Sequence, residues 1–287
     1  MTKRHDYIAE LLDMVDKADG HCDLPWRQRT TRPTNLSSLN PYRGINRINL
    51  MISQIVSEYR SGYWLTFKQA LTLDGCVRKG EKGRKILFYR PIPEEKQKPE
   101  GPKFVIRYAS VFNLDQIDGI EMPDLEPKPQ TIDPYERARA FCANVPVPVI
   151  HGDKGAFYSP SRDEIHMPAE SDFHDTDSAT ASQHYLSVLL HEMAHSTGHK
   201  SRLDRLPAER TRESVAYEEL IAEAAASLLS MELGIETTIC EDHAKYLASW
   251  KSAIKDDPFV LVRAMSAAEK AIDVLNTYQV DELEAAA

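Results

Sequence analysis

The chain has 287 residues, 42% hydrophobic and 28% charged, with a formal net charge of −9. No apolar run approaches the ~20 residues that span a bilayer, and the polar start Met1-Thr2-Lys3-Arg4-His5-Asp6 lacks a secretory pattern, which sets the expectation of a cytoplasmic protein with no membrane partner. The four cysteines, Cys22, Cys76, Cys142 and Cys240, lie far apart with no C-x-x-C spacing and are read as free thiols in a reducing cytoplasm, which argues against a disulfide framework.

The charge is unevenly spread. Residues 1–110 carry 20 Lys and Arg against 12 Asp and Glu, a net of +8, whereas residues 111–287 carry 15 against 32, a net of −17. Such an asymmetry points to two domains with different partners. In the basic part, Ile8, Leu11, Leu12 and Val15 recur at helical spacing, and a long loop follows through Leu24 to Asn46. A helix over about 46–59, the segment Gly62 to Leu65 and a short helix over 66–73 come next. The stretch 75–85 is expected to be a strand entering a basic, glycine-punctuated turn, with 86–89 as the return strand and 104–112 in the same sheet. Residues 94–103 would form the charged tip. Aromatics and cations interleave here: Trp26 with Arg27, Tyr42 with Arg43, Trp64 with Lys68, and the turn from Arg78 to Arg84. Bases can stack on exposed rings while cations track phosphates, so single-stranded nucleic acid is a physically reasonable ligand. The alternative is that Trp26, Tyr42 and Trp64 are core residues under a solvated cationic surface. The P-loop pattern is absent, which argues against nucleotide hydrolysis.

A proline-rich linker is expected over 119–134, separating a domain of residues 1–118 from one of 135–287. After a helix over about 134–144, Val145 to Ile150 must be extended, and its prolines allow at most an edge strand. Residues 156–158 and 164–167 form a plausible hairpin, whose edge could pair with an extended peptide. His166 lies on it, where a lone histidine is more often structural. Helices are expected over 178–197, 213–233, 240–255 and 258–277, with a frayed tail at 281–287. The whole reads as α+β: a small basic α+β domain followed by a mostly helical one with a small sheet.

The chemistry concentrates in His191-Glu192-Met193-Ala194-His195, an H-E-x-x-H motif after the apolar run Leu186, Val188, Leu189, Leu190. Positions i and i+4 share a helix face, so His191 and His195 can meet one ion, while Glu192 points about 100° further round. Zinc would lower the pKa of a water to roughly 7, and Glu192 would take its proton. Gly198 is placed to stop the helix. His199 is too far along the axis to be the third ligand, and Ser201 stands where a metzincin would have its last histidine. The better candidates lie on the next helix, where Glu219 and Glu223 are one turn apart, one as ligand and the other orienting a histidine. Their arrangement is similar to that of gluzincin peptidases, and by that resemblance Glu219 is favoured as ligand, without excluding the reverse. Glu218 is assigned to a solvated face.

Together these segments resemble the plasmid antirestriction family ArdC. The resemblance rests on Pro25-Trp26-Arg27, Pro41 to Asn46, Trp64 to Gln69, Val77 to Gly83, Phe157 to Pro160, His191 to Gly198 and Glu218 to Glu223. It implies an N-terminal domain that binds single-stranded DNA through Trp26, Arg27, Tyr42, Arg43, Asn46, Trp64, Lys68, Gln69, Arg78, Lys79, Lys82 and Arg84. It also implies a zincin-like metallopeptidase domain with Zn2+, or Mn2+ or another divalent ion, and protection of incoming plasmid DNA from restriction during conjugation. A protein substrate would be unknown. Two rivals are a non-catalytic DNA-coating protein with a structural metal and a protease for DNA–protein crosslinks, as in SprT-like enzymes.

Overall fold

The computed structural model describes residues 32–93, 96, 100, 101, 103–121, 132–176, 179–207, 209, 211–235 and 259–279. The expected helices over 7–15 and 240–255, Trp26, Arg27, most of the linker and the tail lie outside these residues. The chain clusters into two units, Met1–Glu126 and Pro127–Ala287.

In the first unit, β1 (Thr34–Asn35), β2 (Tyr63–Thr66), β4 (Arg84–Pro91) and β5 (Phe104–Asn113) form a sheet in the order β1-β2-β5-β4, in which only β1 and β2 run parallel. Successive strand side chains point to opposite faces, and adjacent residues of β2 anchor two cores. Trp64 packs with Leu50 and Val111 on one side, under α1 (Ile45–Val56). Leu65 packs with Ala70 and Ile117 on the other, under α2 (Phe67–Thr72). The helix α2 opens on a reciprocal cap: Thr66 accepts from the Gln69 backbone, and the Gln69 side chain accepts from the Thr66 N–H at 2.9 Å.

One expectation needs correction. The strand β3 (Cys76–Val77) does not pair with β4 across the glycine turn; it pairs antiparallel with β6 (Ile117–Asp118) in a separate two-stranded sheet. The true partner of β4 is β5, through eight matched positions from Arg84↔Val111 to Pro91↔Phe104. Strand β4 is an edge, and α1 covers part of it with two asparagines. Asn46 donates to the Leu87 carbonyl at 2.6 Å and accepts from its N–H at 2.8 Å, and Asn49 donates to the Lys85 carbonyl at 2.7 Å. These side chains complete hydrogen bonds that an edge strand otherwise leaves to water or to another chain.

In the second unit, α3 (Pro134–Ala143) starts on the Asp133 cap with proline in its first turn. A three-stranded sheet follows in the order β7-β9-β8, from β7 (Val149–His151), β8 (Phe157–Ser159) and β9 (Glu164–Met167). Both outer strands are edges, as the prolines before β7 suggest. The helix α4 (Ala181–Ser196) packs on β8, β9 and on α5 (Arg212–Leu233), which in turn packs on α6 (Val260–Asn276). Buried Ala222, Ala224, Ala225 and Ala226 give α5 a face on which neighbouring helices can approach closely. It ends at Gly234 in the left-handed conformation, φ 74°.

Candidate functional site

The helix α4 is set by the Thr180–Gln183 capping box and by buried Leu186, Leu189, Leu190 and Met193. The i, i+4 spacing then brings His191 and His195 together, their Nε2 atoms 3.1 Å apart. From α5, the Glu219 carboxylate lies 3.3 Å from His191 Nε2 and 3.5 Å from His195 Nε2. Donor atoms of all three fall within 4.8 Å of one another. Glu223 is half-buried and does not join this set. His199 does not join it either; its Nδ1 contacts the Ser201 hydroxyl at 2.8 Å.

The surprise is Glu218. Assigned to a solvated face, it is instead only 7% exposed. Its carboxylate accepts from His195 Nδ1 at 3.1 Å and from two Arg205 nitrogens at 2.7 and 2.8 Å. A Nδ1–H donated to a carboxylate leaves the Nε2 lone pair directed at the cluster, a common way of fixing a ligand histidine. Arg205 also donates to the Ala194 carbonyl and the Thr197 hydroxyl, each at 2.9 Å, closing off the C-terminal end of α4. It reaches there because the chain returns over Gly198, whose carbonyl accepts from Arg205 and Leu206. A β-carbon at Gly198 would lie 2.9 Å from Leu206 Cγ, so the glycine makes room for the return chain. In sequence the adjacent pair Glu218-Glu219 held only an ambiguous signal, since residues one apart face about 100° apart on a helix.

The groups of the cluster shift one another's protonation. Hydrogen bonds from His191 and His195 hold the Glu219 carboxyl far below the usual range. Burial works against a charge on His195, but hydrogen bonds to Glu218 and Glu219 overcome it and raise its pKa to about 9. Groups that converge to share a proton in this way are equally suited to share a divalent cation, and two imidazoles with one carboxylate form a donor set of that kind. Glu192 sits beside them, 7% exposed. Burial raises its pKa, against the nearby histidines and a hydrogen bond from the Tyr158 backbone N–H on β8. A second arginine, Arg202, holds the turn after β8: it pairs with Asp163 and donates to the Ser196 carbonyl at 2.7 Å. Asp163 in turn accepts from the Tyr158 hydroxyl at 2.7 Å. His166 is buried between Asp153 and Glu164, at 2.5 and 2.9 Å, and stacks on Phe157.

The residues carried over for DNA binding fare differently. Trp64 is fully buried and offers no face to a base. Tyr42 packs half-buried against the same core. Asn46 is committed to β4 and Gln69 to the α2 cap, where it also bonds Asn35. Arg78 is exposed but engages Glu81, Asp118 and the Asp115 carbonyl. Arg43, Lys68, Lys79 and Lys82 are exposed, and Arg84 is half-exposed at the start of β4. The local reason is sequence context: Trp64 alternates with Leu65 on a central strand, so a ring there must enter one core or the other.

The second unit thus has the architecture of a zincin-like metallopeptidase domain, and residues 136–267 match that family (MPTase-PolyVal). Residues 3–114 match the N-terminal domain of anti-restriction factor ArdC. The chain is similar in structure to the antirestriction ArdC protein from plasmid R388 in its Mn(II)-bound form, with a TM-score of 0.77 and 34% identity over 97% of this chain and 98% of that one. For the metal-free form of that protein the TM-score is 0.75. It is also 31% identical to protein y4eC of Sinorhizobium fredii, across 95% of this chain and 91% of that protein. A further relative is the DNA primase TraC of Escherichia coli, 34% identical over 98% of this chain but only 28% of the primase. The chain belongs to the ArdC antirestriction family. Among the described residues, no helix is long and apolar enough to cross a membrane.

Proposed function

We propose that this protein is an antirestriction factor that holds single-stranded DNA on its N-terminal unit and carries a divalent-metal peptidase centre on the other, protecting plasmid DNA as it enters a host during conjugation. The observation that carries the peptidase reading is the convergence of His191, His195 and Glu219 next to a buried acid, Glu192. The three would hold the ion, Zn2+ or Mn2+, with Glu218 orienting His195. When bound, such an ion supplies electrostatic polarisation of a scissile carbonyl and lowers the pKa of water.

The rest falls to the chain's own side chains. Glu192 is the general base: its carboxylate takes the proton from the attacking water and returns it to the leaving amine. Its raised pKa suits that exchange near neutral pH better than an ordinary glutamate would. Strand β8 lies alongside, gives the Tyr158 N–H to Glu192, and is an edge of its sheet with Phe157 exposed. An extended peptide pairing with that edge would have its backbone held beside the base.

The test is Glu192→Gln, which keeps the shape and removes the base. Metal content should be unchanged while metal-dependent peptide hydrolysis falls by about 10²–10⁴-fold. Retention of full antirestriction by the same variant in a conjugation assay would take hydrolysis out of the protective mechanism. That result would favour DNA coating with a structural metal.

A further inference from the structure

Several residues that the family motifs offer for DNA, Tyr42, Asn46, Trp64 and Gln69, are used to build the first unit, yet one surface in it outside those motifs has the chemistry of a single-strand site. Strands β4 and β5 together contain Arg84, Lys85, Arg90 and Arg107 and no acidic residue. In the half of this ribbon remote from α2, large apolar side chains face solvent: Phe88 is 42% exposed, Tyr89 55% and Phe104 52%. The register sorts them. Phe88 lies directly opposite Arg107, and Arg90 opposite Val105, so Phe88, Arg90 and Arg107 share one face. Tyr89 lies opposite Ile106 and Pro91 opposite Phe104, which puts Tyr89 and Phe104 on the other face. Directly opposed side chains have β-carbons about 5 Å apart and diagonal ones about 7–8 Å. Phe88 therefore shares its face with two arginines, Arg107 directly across on β5 and Arg90 two residues along β4. Arg78 is tied into ion pairs with Glu81 and Asp118, whereas Arg90 and Arg107 stand exposed to solvent.

We propose that this face of the β4–β5 ribbon is a contact surface for single-stranded DNA, with a base stacked on Phe88 and the flanking phosphates met by Arg90 and Arg107. The proposal rests on the single-stranded-DNA reading above and assigns it to residues outside the motifs. Ring and cation side by side answer the two parts of a nucleotide, and neither reads a base edge, so binding there is indifferent to sequence. A core explanation does not apply, because these side chains are exposed. A purely solvating role does not account for an exposed phenyl ring between two arginines. Unlike the cation-poor Tyr89 and Phe104 face, this one is charge-complementary to a phosphate backbone.

The experiment is fluorescence anisotropy of a labelled oligothymidine with the full chain, over a salt series, for the wild type and three variants. Thermal melting would show each variant folded, as expected for exposed positions. Phe88→Ala should weaken binding about tenfold or more, the effect of removing one stacked base. Arg90→Gln with Arg107→Gln should weaken binding and lower the slope of log affinity against log salt by about 1.4, or ~0.7 for each phosphate no longer neutralised. Tyr89→Ala with Phe104→Ala should change affinity less than Phe88→Ala alone. If the wild type binds and the first two variants bind as tightly with an unchanged slope, the site lies elsewhere and only this assignment fails. A larger effect from the Tyr89 and Phe104 pair would likewise overturn the choice of face. Absence of wild-type binding at low salt would overturn the single-stranded-DNA reading together with the assignment.

Discussion

The two units of this chain treat their motif residues in opposite ways. In the second unit the H-E-x-x-H side chains and Glu219 converge, and the neighbouring arginines brace them. In the first unit Trp64, Asn46 and Gln69, equally prominent in the family motifs, go into a core, an edge-strand cap and a helix cap. Motif residues can therefore converge on one cluster in one domain and build core and caps in the next. What separates the two cases is burial and hydrogen-bond partners, not residue type.

The contrast can be broken at four points. The largest effect is expected from His195→Ala, which removes one donor and leaves the buried Glu218–Arg205 pair without its histidine. Elemental analysis should show about one equivalent of divalent metal in the wild type and none in the variant, while equal content in both would dismiss the cluster as a metal centre. Next, Trp64→Ala should cost about 3–5 kcal/mol of stability, as expected for emptying a core of a large ring. Chemical denaturation that shows a stable Trp64→Ala protein with weakened DNA binding would return Trp64 to the ligand side. Asn46→Ala should cost about 1–3 kcal/mol, because it leaves two backbone groups of β4 without their partner. An unchanged unfolding midpoint would refute the structural role of Asn46.

The smallest effect concerns pH. The Arg202 guanidinium, with the Tyr158 hydroxyl, holds the Asp163 carboxyl below its ordinary range. A depressed folded-state pKa contributes stability that is present above the unfolded value of about 3.9 and is lost as pH falls through the lower folded value. Asp163→Asn should therefore be less stable than wild type at neutral pH, with the difference shrinking below pH ~4. A stability gap in urea unfolding that stays constant from pH 7 to pH 3 would remove the ionic pairing as its cause.

Much of the second unit was legible because its signals are local. Capping residues, helical apolar spacing and the prolines before β7 each act within a few residues of where they stand. The elements read from them, 178–197, 213–233 and 258–277, correspond closely to α4, α5 and α6. The misreadings were non-local. The glycine turn at 80–83 suggested that the strands flanking it pair with each other, yet β3 has its partner 40 residues away in β6. Likewise, the identity of the glutamate behind His195 depends on how α5 is rotated against α4, and on Arg205 returning over Gly198.

The sequence by itself determined where an ion-binding pair of histidines and a neighbouring acid could stand, because a spacing of four on a helix is a property of the backbone alone. Only the tertiary structure decided that Glu219 meets them and Glu218 supports them. It alone decided that Trp64 is core and Phe88 is surface. These outcomes follow from the packing of helix on helix and sheet on helix, where burial turns on partners far away in the chain. Aromatic and acidic side chains carry no local mark of the side they will face.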